Sequence, residues 1–169
     1  MYMLRGDWNQ SERHRIYGSW FEDRNSRSTP FSAGGNIPNY ISDDFDQKTQ
    51  QISLNDTFTF SPTMINQFTF GFLNTPSNEL QGTTIDPQEL GINMPQYIPT
   101  GAVTVDVAEN FTLGSGFTTR FASRNYQFKD TISWIRGKHN FKFGYEMLRL
   151  QFRQTYIGSP SFSFTGSRT

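Results

Sequence analysis

Residues with the type and spacing for chemistry are scarce in this chain. His14 and His139 each stand beside a short turn signal, and neither has a partner at metal-ligand spacing, so both are expected to be polar residues at strand starts. Asp43, Asp44 and Asp46 offer oxygen ligands of the kind Ca²⁺ takes, but no distal Glu completes a binding loop, and a solvated acidic loop is expected. Gly114-Ser115-Gly116 does not match the Gly-x-Ser-x-Gly nucleophile turn. Gly34-Gly35 lacks the Gly-Lys-Ser/Thr ending of a phosphate loop. The absence of Cys removes thiolate metal sites, disulfides and Cys nucleophiles. No catalytic, cofactor-binding or metal-binding residue is therefore expected, and the chain is not expected to be an enzyme. What remains are charges set among small polar residues, above all Lys129, Lys142 and Glu146, which suit a wet surface in contact with a solute or a polar protein.

The elements that carry those charges are strands. Only 34% of residues are hydrophobic, yet 16% are aromatic, and 17 Phe outnumber 8 Leu, 3 Val and 4 Ala. Poor helix formers abound, with 18 Thr, 16 Ser, 14 Gly and 12 Asn. Fifteen Lys+Arg balance fifteen Asp+Glu, so no basic excess favours a nucleic-acid partner. No apolar run reaches the ~18–20 residues a membrane-spanning helix needs.

Alternation with period two resolves the contrast between polarity and aromaticity. Ile52, Leu54, Phe58 and Phe60 alternate with polar residues, a turn falls at Ser61-Pro62-Thr63, and Phe68, Phe70 and Phe72 continue the pattern. Tyr126, Phe128, Ile132 and Trp134 repeat it before a turn at Arg136-Gly137-Lys138, and Phe141, Phe143, Tyr145 and Met147 follow. A less regular hairpin opens the chain, and a short strand is expected near Ser161–Thr165. Asp56-Thr57-Phe58-Thr59-Phe60 parallels Asp130-Thr131-Ile132-Ser133-Trp134, 74 residues later, as expected of a sheet built from like hairpins.

Hairpins over about 1–24, 48–76 and 121–157 are thus joined by long connections over about 25–47 and 77–120. Asp86-Pro87-Gln88-Glu89-Leu90-Gly91 reads as a one-turn helix within the second connection. Short turns at one rim and long loops at the other are the pattern of a transmembrane β-barrel. The expected fold is all-β: a segment of about seven antiparallel strands with short periplasmic turns and long extracellular loops. Trp8, Phe58, Phe60, Phe68, Phe70, Ile132, Trp134, Phe141 and Phe143 are expected to face lipid, with Trp8, Phe60 and Trp134 in an aromatic girdle beside the short turns. Lys129, Lys142 and Glu146 are expected to face the lumen. The alternative is a secreted β-sandwich that binds carbohydrate, with the same aromatics forming its core or stacking on sugars.

Trp134-Ile135-Arg136-Gly137-Lys138-His139-Asn140-Phe141-Lys142-Phe143-Gly144 resembles a mid-barrel hairpin of TonB-dependent outer-membrane receptors of the Oar-like group, which carry a carboxypeptidase-regulatory-like domain. Ser61-Pro62-Thr63-Met64-Ile65-Asn66-Gln67-Phe68 and Ser161-Phe162-Ser163-Phe164-Thr165-Gly166 are similar to further segments of that group. The resemblance implies a 22-stranded barrel in the outer membrane, occluded by a plug domain and taking up a large solute with energy delivered by TonB. The implied partners are outer-membrane lipid, the remainder of the barrel with its plug, and the TonB complex; no cofactor is implied. The chain shows no apolar signal segment, plug or TonB-contacting stretch and has few strands, so it is expected to be a fragment of such a receptor.

Overall fold

The computed structural model describes residues 1–29, 43–81, 91, 93, 104–113, 117–158 and 161–166. Nine strands form: β1 (Tyr2–Ser11), β2 (His14–Thr29), β3 (Asp43–Ser61), β4 (Met64–Gln81), β5 (Thr104–Val107), β6 (Phe111–Leu113), β7 (Phe117–Arg136), β8 (His139–Gly158) and β9 (Ser161–Phe164). The fold is all-β. A six-stranded antiparallel sheet has the order β1-β2-β3-β4-β7-β8, and a three-stranded sheet has the order β6-β5-β9. β1 and β8 are the edges of the larger sheet.

Of the about seven antiparallel strands expected, six form the large sheet; the short strand expected near Ser161–Thr165 forms as β9 but pairs parallel with β5 in the small sheet. The expectation missed β5 and β6, whose 4 and 3 residues are too few to display a period. The four longest strands run to 19, 18, 20 and 20 residues, against about 9–11 needed to cross a bilayer. β3, β4 and β7 outrun the hairpin bounds read from sequence because their far ends are mostly polar and carry no sustained hydrophobic alternation, whereas β8 ends close to its expected bound. Asp43, Asp44 and Asp46 accordingly lie in β3 and not in a loop. Of the one-turn helix expected over 86–91, residues 86–90 lie outside the described residues; Gly91 occupies a turn with φ +74°.

Two compact units make up the chain. The first comprises Met1–Arg24, Lys48–Pro76 and Ala122–Arg153. Its hairpins close through tight turns at 12–13, 62–63 and 137–138. In the last of these, Gly137 sits at φ +61°, a left-handed conformation that any Cβ would strain. β1 pairs β2 with Trp8 opposite Ile16 and Leu4 opposite Trp20, with a register shift between Asn9 and Ser11. The hairpins join each other through β2–β3 and β4–β7. There the Thr59 N–H donates to the Arg13 carbonyl at 2.8 Å, and the Ile135 N–H to the Thr63 carbonyl at 2.8 Å.

The second unit comprises Asn25–Gln47, Ser77–Phe121 and Gln154–Thr169. Here β5 pairs antiparallel with β6 and parallel with β9, placing Val105 opposite Phe162 and Val107 opposite Phe164. Glu109, at φ 63°, turns the chain between β5 and β6, and Thr112 Oγ1 donates to Asp106 Oδ1 at 2.7 Å across the pair.

Burial is inverted relative to a soluble domain. Among the residues whose exposure is described, only three are buried, and all carry hydroxyls: Ser77 at 8% exposure, Thr119 at 3% and Thr131 at 7%. Large apolar side chains stand open, including Trp8 at 58%, Phe60 at 52% and Phe143 at 60%. A sandwich would have buried these rings between two sheets.

Candidate functional site on the two faces of the sheet

Successive side chains of a strand point to opposite faces, and opposed residues of neighbouring strands share a face. In the first unit this sorts most of the sheet, with Ile65, Ile135, Leu148, Leu150 and Phe152 as apolar residues on the face opposite the aromatics. Trp8, Ile16, Leu4 and Trp20 share one face through the β1–β2 register. Leu4 and Trp20 line a shallow apolar depression with Ile52, Leu54 and Phe70, which carries the same face onto β3 and β4. Ring contacts extend it: Phe58 to Phe60 at 4.8 Å, Phe70 to Phe128 at 5.1 Å, Phe72 to Tyr126 at 5.0 Å, Trp134 to Phe141 at 5.7 Å and Phe141 to Phe143 at 6.3 Å. Phe68 and Ile132 fall on it by alternation. All nine apolar residues singled out from sequence therefore share one face, an aromatic belt across six strands.

The opposite face is hydroxyl- and amide-rich. Ser19 and Ser53 bond across β2–β3 at 2.7 Å, and Thr69 Oγ1 donates to Asn55 Oδ1 at 3.1 Å across β3–β4. Gln127 Nε2 donates to Glu146 Oε1 at 2.7 Å, and Lys129 Nζ stands 4.0 Å from Glu146 Oε2. A groove of about 260 Å³ opens on this face, lined by Tyr17, Asn55, Gln67, Lys129, Thr131 and Lys142 among others. Lys129, Lys142 and Glu146 thus share the polar face, with both lysines on the groove. Thr131 is buried there because Gly144 of β8 leaves room for it. A Cβ at Gly144 would come within 3.2 Å of Thr131 Oγ1 and 3.1 Å of the Asp130 carbonyl oxygen.

Sequence reasoning missed two features. The first is a pair of polar contacts inside the aromatic belt. His14 Nε2 bonds Asp56 Oδ1 at 2.8 Å, while its Nδ1 bonds the Gln10 side chain. Asn66 Nδ2 donates to Asp130 Oδ1 at 2.6 Å. Asp56 and Asp130 are equivalent positions of the two like segments, and each joins one hairpin to the next. The available signal was an Asp on the apolar phase of the alternation, at the same place twice.

The second missed feature is where the belt stops. On β2, β3 and β4 the residue that follows the last large apolar one on this face is Glu22, Gln50 or Asn74. Glu22 accepts from Gln50 Nε2 at 3.0 Å and meets Lys48 at 3.2 Å and Arg24 at 3.4 Å, and Asn74 Nδ2 donates to Gln50 Oε1 at 3.1 Å. On β7 and β8 the equivalent residues are Arg124 and Arg149.

An exposed aromatic belt with a polar boundary, backed by a polar face, is the pattern of a barrel sheet that meets lipid on one side. The family model of the outer membrane beta barrel domain matches residues 1–169. The chain belongs to that family, and its place is the outer membrane. No curated protein and no solved structure matches it.

Proposed function

We propose that this chain forms part of the barrel of a TonB-dependent transporter of the Oar-like group, non-catalytic, which takes up a large solute of the siderophore, saccharide or peptide class. The observation that carries the proposal is the division of one sheet into an aromatic face and a polar face bearing the Lys129–Lys142 groove. Such a groove gives a solute or a plug hydrogen-bond partners and charge in place of water. The Trp134–Gly144 hairpin adds the resemblance to receptors of that group. The edges β1 and β8 point the same way, because an unpaired strand edge is not tolerated in lipid. Further barrel strands and a plug domain are the partners this requires, with the TonB complex as the source of energy.

The test is capture of the full-length protein, in detergent, by the periplasmic domain of TonB, paired with conductance of the protein in planar bilayers. A TonB-dependent transporter is retained by TonB and is closed to ions. A protein that is not retained and conducts as an open pore would overturn the proposal in favour of a porin-like barrel.

A further inference from the structure

The boundary of the belt is not uniform in charge. On β2–β4 the cations Lys48 and Arg24 both pair with Glu22. On the β7–β8 hairpin the boundary cations are not paired in this way. Arg124 and Arg153 line, with Ala122, Gln151 and Phe152, a groove of about 280 Å³, and Arg149 falls on the same face by alternation from Met147.

The hairpin carries two acidic residues, Asp130 on β7 and Glu146 on β8, and both are engaged elsewhere. Asp130 accepts from Asn66, and Glu146 lies on the opposite face with Gln127 and Lys129. Among the described residues, none of the three arginines forms an ion pair. Ala122 contributes only a methyl group to the lining of the groove.

The groove begins one alternation beyond Tyr126 on β7 and two beyond Met147 on β8, past the point where this face turns polar, at the end of the hairpin away from its tight turn at 137–138. In an outer-membrane barrel the tight turns are periplasmic, so this is the level of the outer-leaflet headgroups. That leaflet is built of phosphorylated glycolipid. Guanidinium groups bind phosphate in bidentate geometry and do so best where water is thinned, as at a headgroup boundary.

We propose that the groove between Arg124, Gln151 and Arg153, with Arg149 beside it, binds a phosphate of the outer leaflet's glycolipid, holding one lipid against the β7–β8 hairpin. The inference is independent of the transported solute and of TonB.

The experiment measures binding of bisphosphorylated lipid A to the full-length protein in detergent, by native mass spectrometry and by titration. Arms with dephosphorylated lipid A, phosphatidylglycerol and free inorganic phosphate run beside it. The expected result is retention of bisphosphorylated lipid A and about tenfold weaker binding to the Arg124→Gln/Arg153→Gln protein, for the loss of two charge-assisted contacts. Lys138→Gln, at the opposite rim, should leave binding unchanged. Equal binding of dephosphorylated lipid A, or equal binding by the double variant, overturns the proposal. So does Arg-dependent binding of phosphatidylglycerol or free phosphate as tight as that of lipid A. Retention of the folded band in unheated gels shows that the double variant is folded; if it is not, Arg124→Lys/Arg153→Lys replaces it. That pair keeps the charge and loses the fork, and it must also bind more weakly than the parent.

Discussion

Replacing Phe70 with Arg places a cation in the middle of the aromatic belt, and its cost follows from where Phe70 sits. On β4 the belt runs from Met64, beside the tight turn, to Asn74, the first polar residue beyond Phe72 on that face. Ten residues at about 3.4 Å each give roughly 34 Å along the strand, and at a tilt of about 40° this spans roughly 26 Å across the membrane. The apolar band of outer-membrane barrels is about 25 Å tall. Phe70 then lies about 10 Å below the polar boundary, near the midplane. An Arg there costs about 2–4 kcal/mol, and the lost contact with the Phe128 ring, 5.1 Å away, adds about 0.5–1.5 kcal/mol. Thr69, its neighbour on the polar face, gives up one hydrogen bond to Asn55, and Thr69→Arg should cost about 1 kcal/mol or less. Phe72→Arg, one alternation from the boundary, should fall between the two. The assay is denaturant unfolding of the full-length protein in lipid vesicles, followed by tryptophan fluorescence. Thr69→Arg costing as much as Phe70→Arg would refute the assignment of faces.

Other substitutions probe the seams and the turns. Asp130→Leu leaves Asn66 only its longer contact to the Thr131 carbonyl at 3.4 Å and should cost about 1–3 kcal/mol, whereas Asn66→Leu/Asp130→Leu should recover to within about 1 kcal/mol of the parent, measured as a double-mutant cycle in the same vesicles. Gly144→Ala should lower stability by about 1–3 kcal/mol because its Cβ would press on the Asp130 carbonyl oxygen at 3.1 Å, while Gly6→Ala, with nothing within 4 Å, should be neutral in the same unfolding assay. Gly137→Ala forces a Cβ into a φ of +61° and should cost about 1 kcal/mol, read as a shifted unfolding midpoint. The isolated chain, with its aromatic face and both sheet edges open, should sediment from detergent-free buffer; a soluble monomer at high concentration would contradict the lipid-facing assignment.

The belt was legible in the sequence because period-two alternation is a local property. Phe58, Phe60, Phe68 and Phe70 announce their common face within thirteen residues, whatever their strands pair with. The tight turns were legible for the same reason, since Ser61-Pro62-Thr63 and Arg136-Gly137-Lys138 carry their own turn chemistry. Non-local pairing was not legible. Nothing near His14 indicates that Asp56, 42 residues away, is its partner. The outer ends of β2, β3 and β4, residues 25–29, 43–47 and 77–81, were read as loops because an extended strand end that is mostly polar lacks hydrophobic phase, although its backbone still needs the ladder. Arg124 and Arg153 belong to one groove only because β7 and β8 stay in register to their far ends.

That difference between local and non-local information bears on how the sheet reaches one register. Within a hairpin the tight turn fixes which residues oppose one another. Between hairpins, at β2–β3 and β4–β7, no tight turn sets the register. A slip of one residue there would turn aromatics to the polar face and is opposed by the whole belt. A slip of two residues would preserve both faces, and lipid offers no hydrophobic penalty against it, since Phe against acyl chain is as favourable as Phe against Phe. Such a slip breaks polar contacts such as Ser19–Ser53 and Glu22–Gln50, and most costly among them are the ones inside the belt. His14 would lose Asp56, and Asn66 would lose Asp130, each leaving a carboxylate on the apolar face without its donor. An unpaired carboxylate in hydrocarbon costs more than any aromatic contact gains. The repeated Asp is thus the residue that converts a tolerant, two-faced sheet into one with a single register at both hairpin seams. The same register completes the Lys129–Lys142 groove, whose lining comes from five different strands.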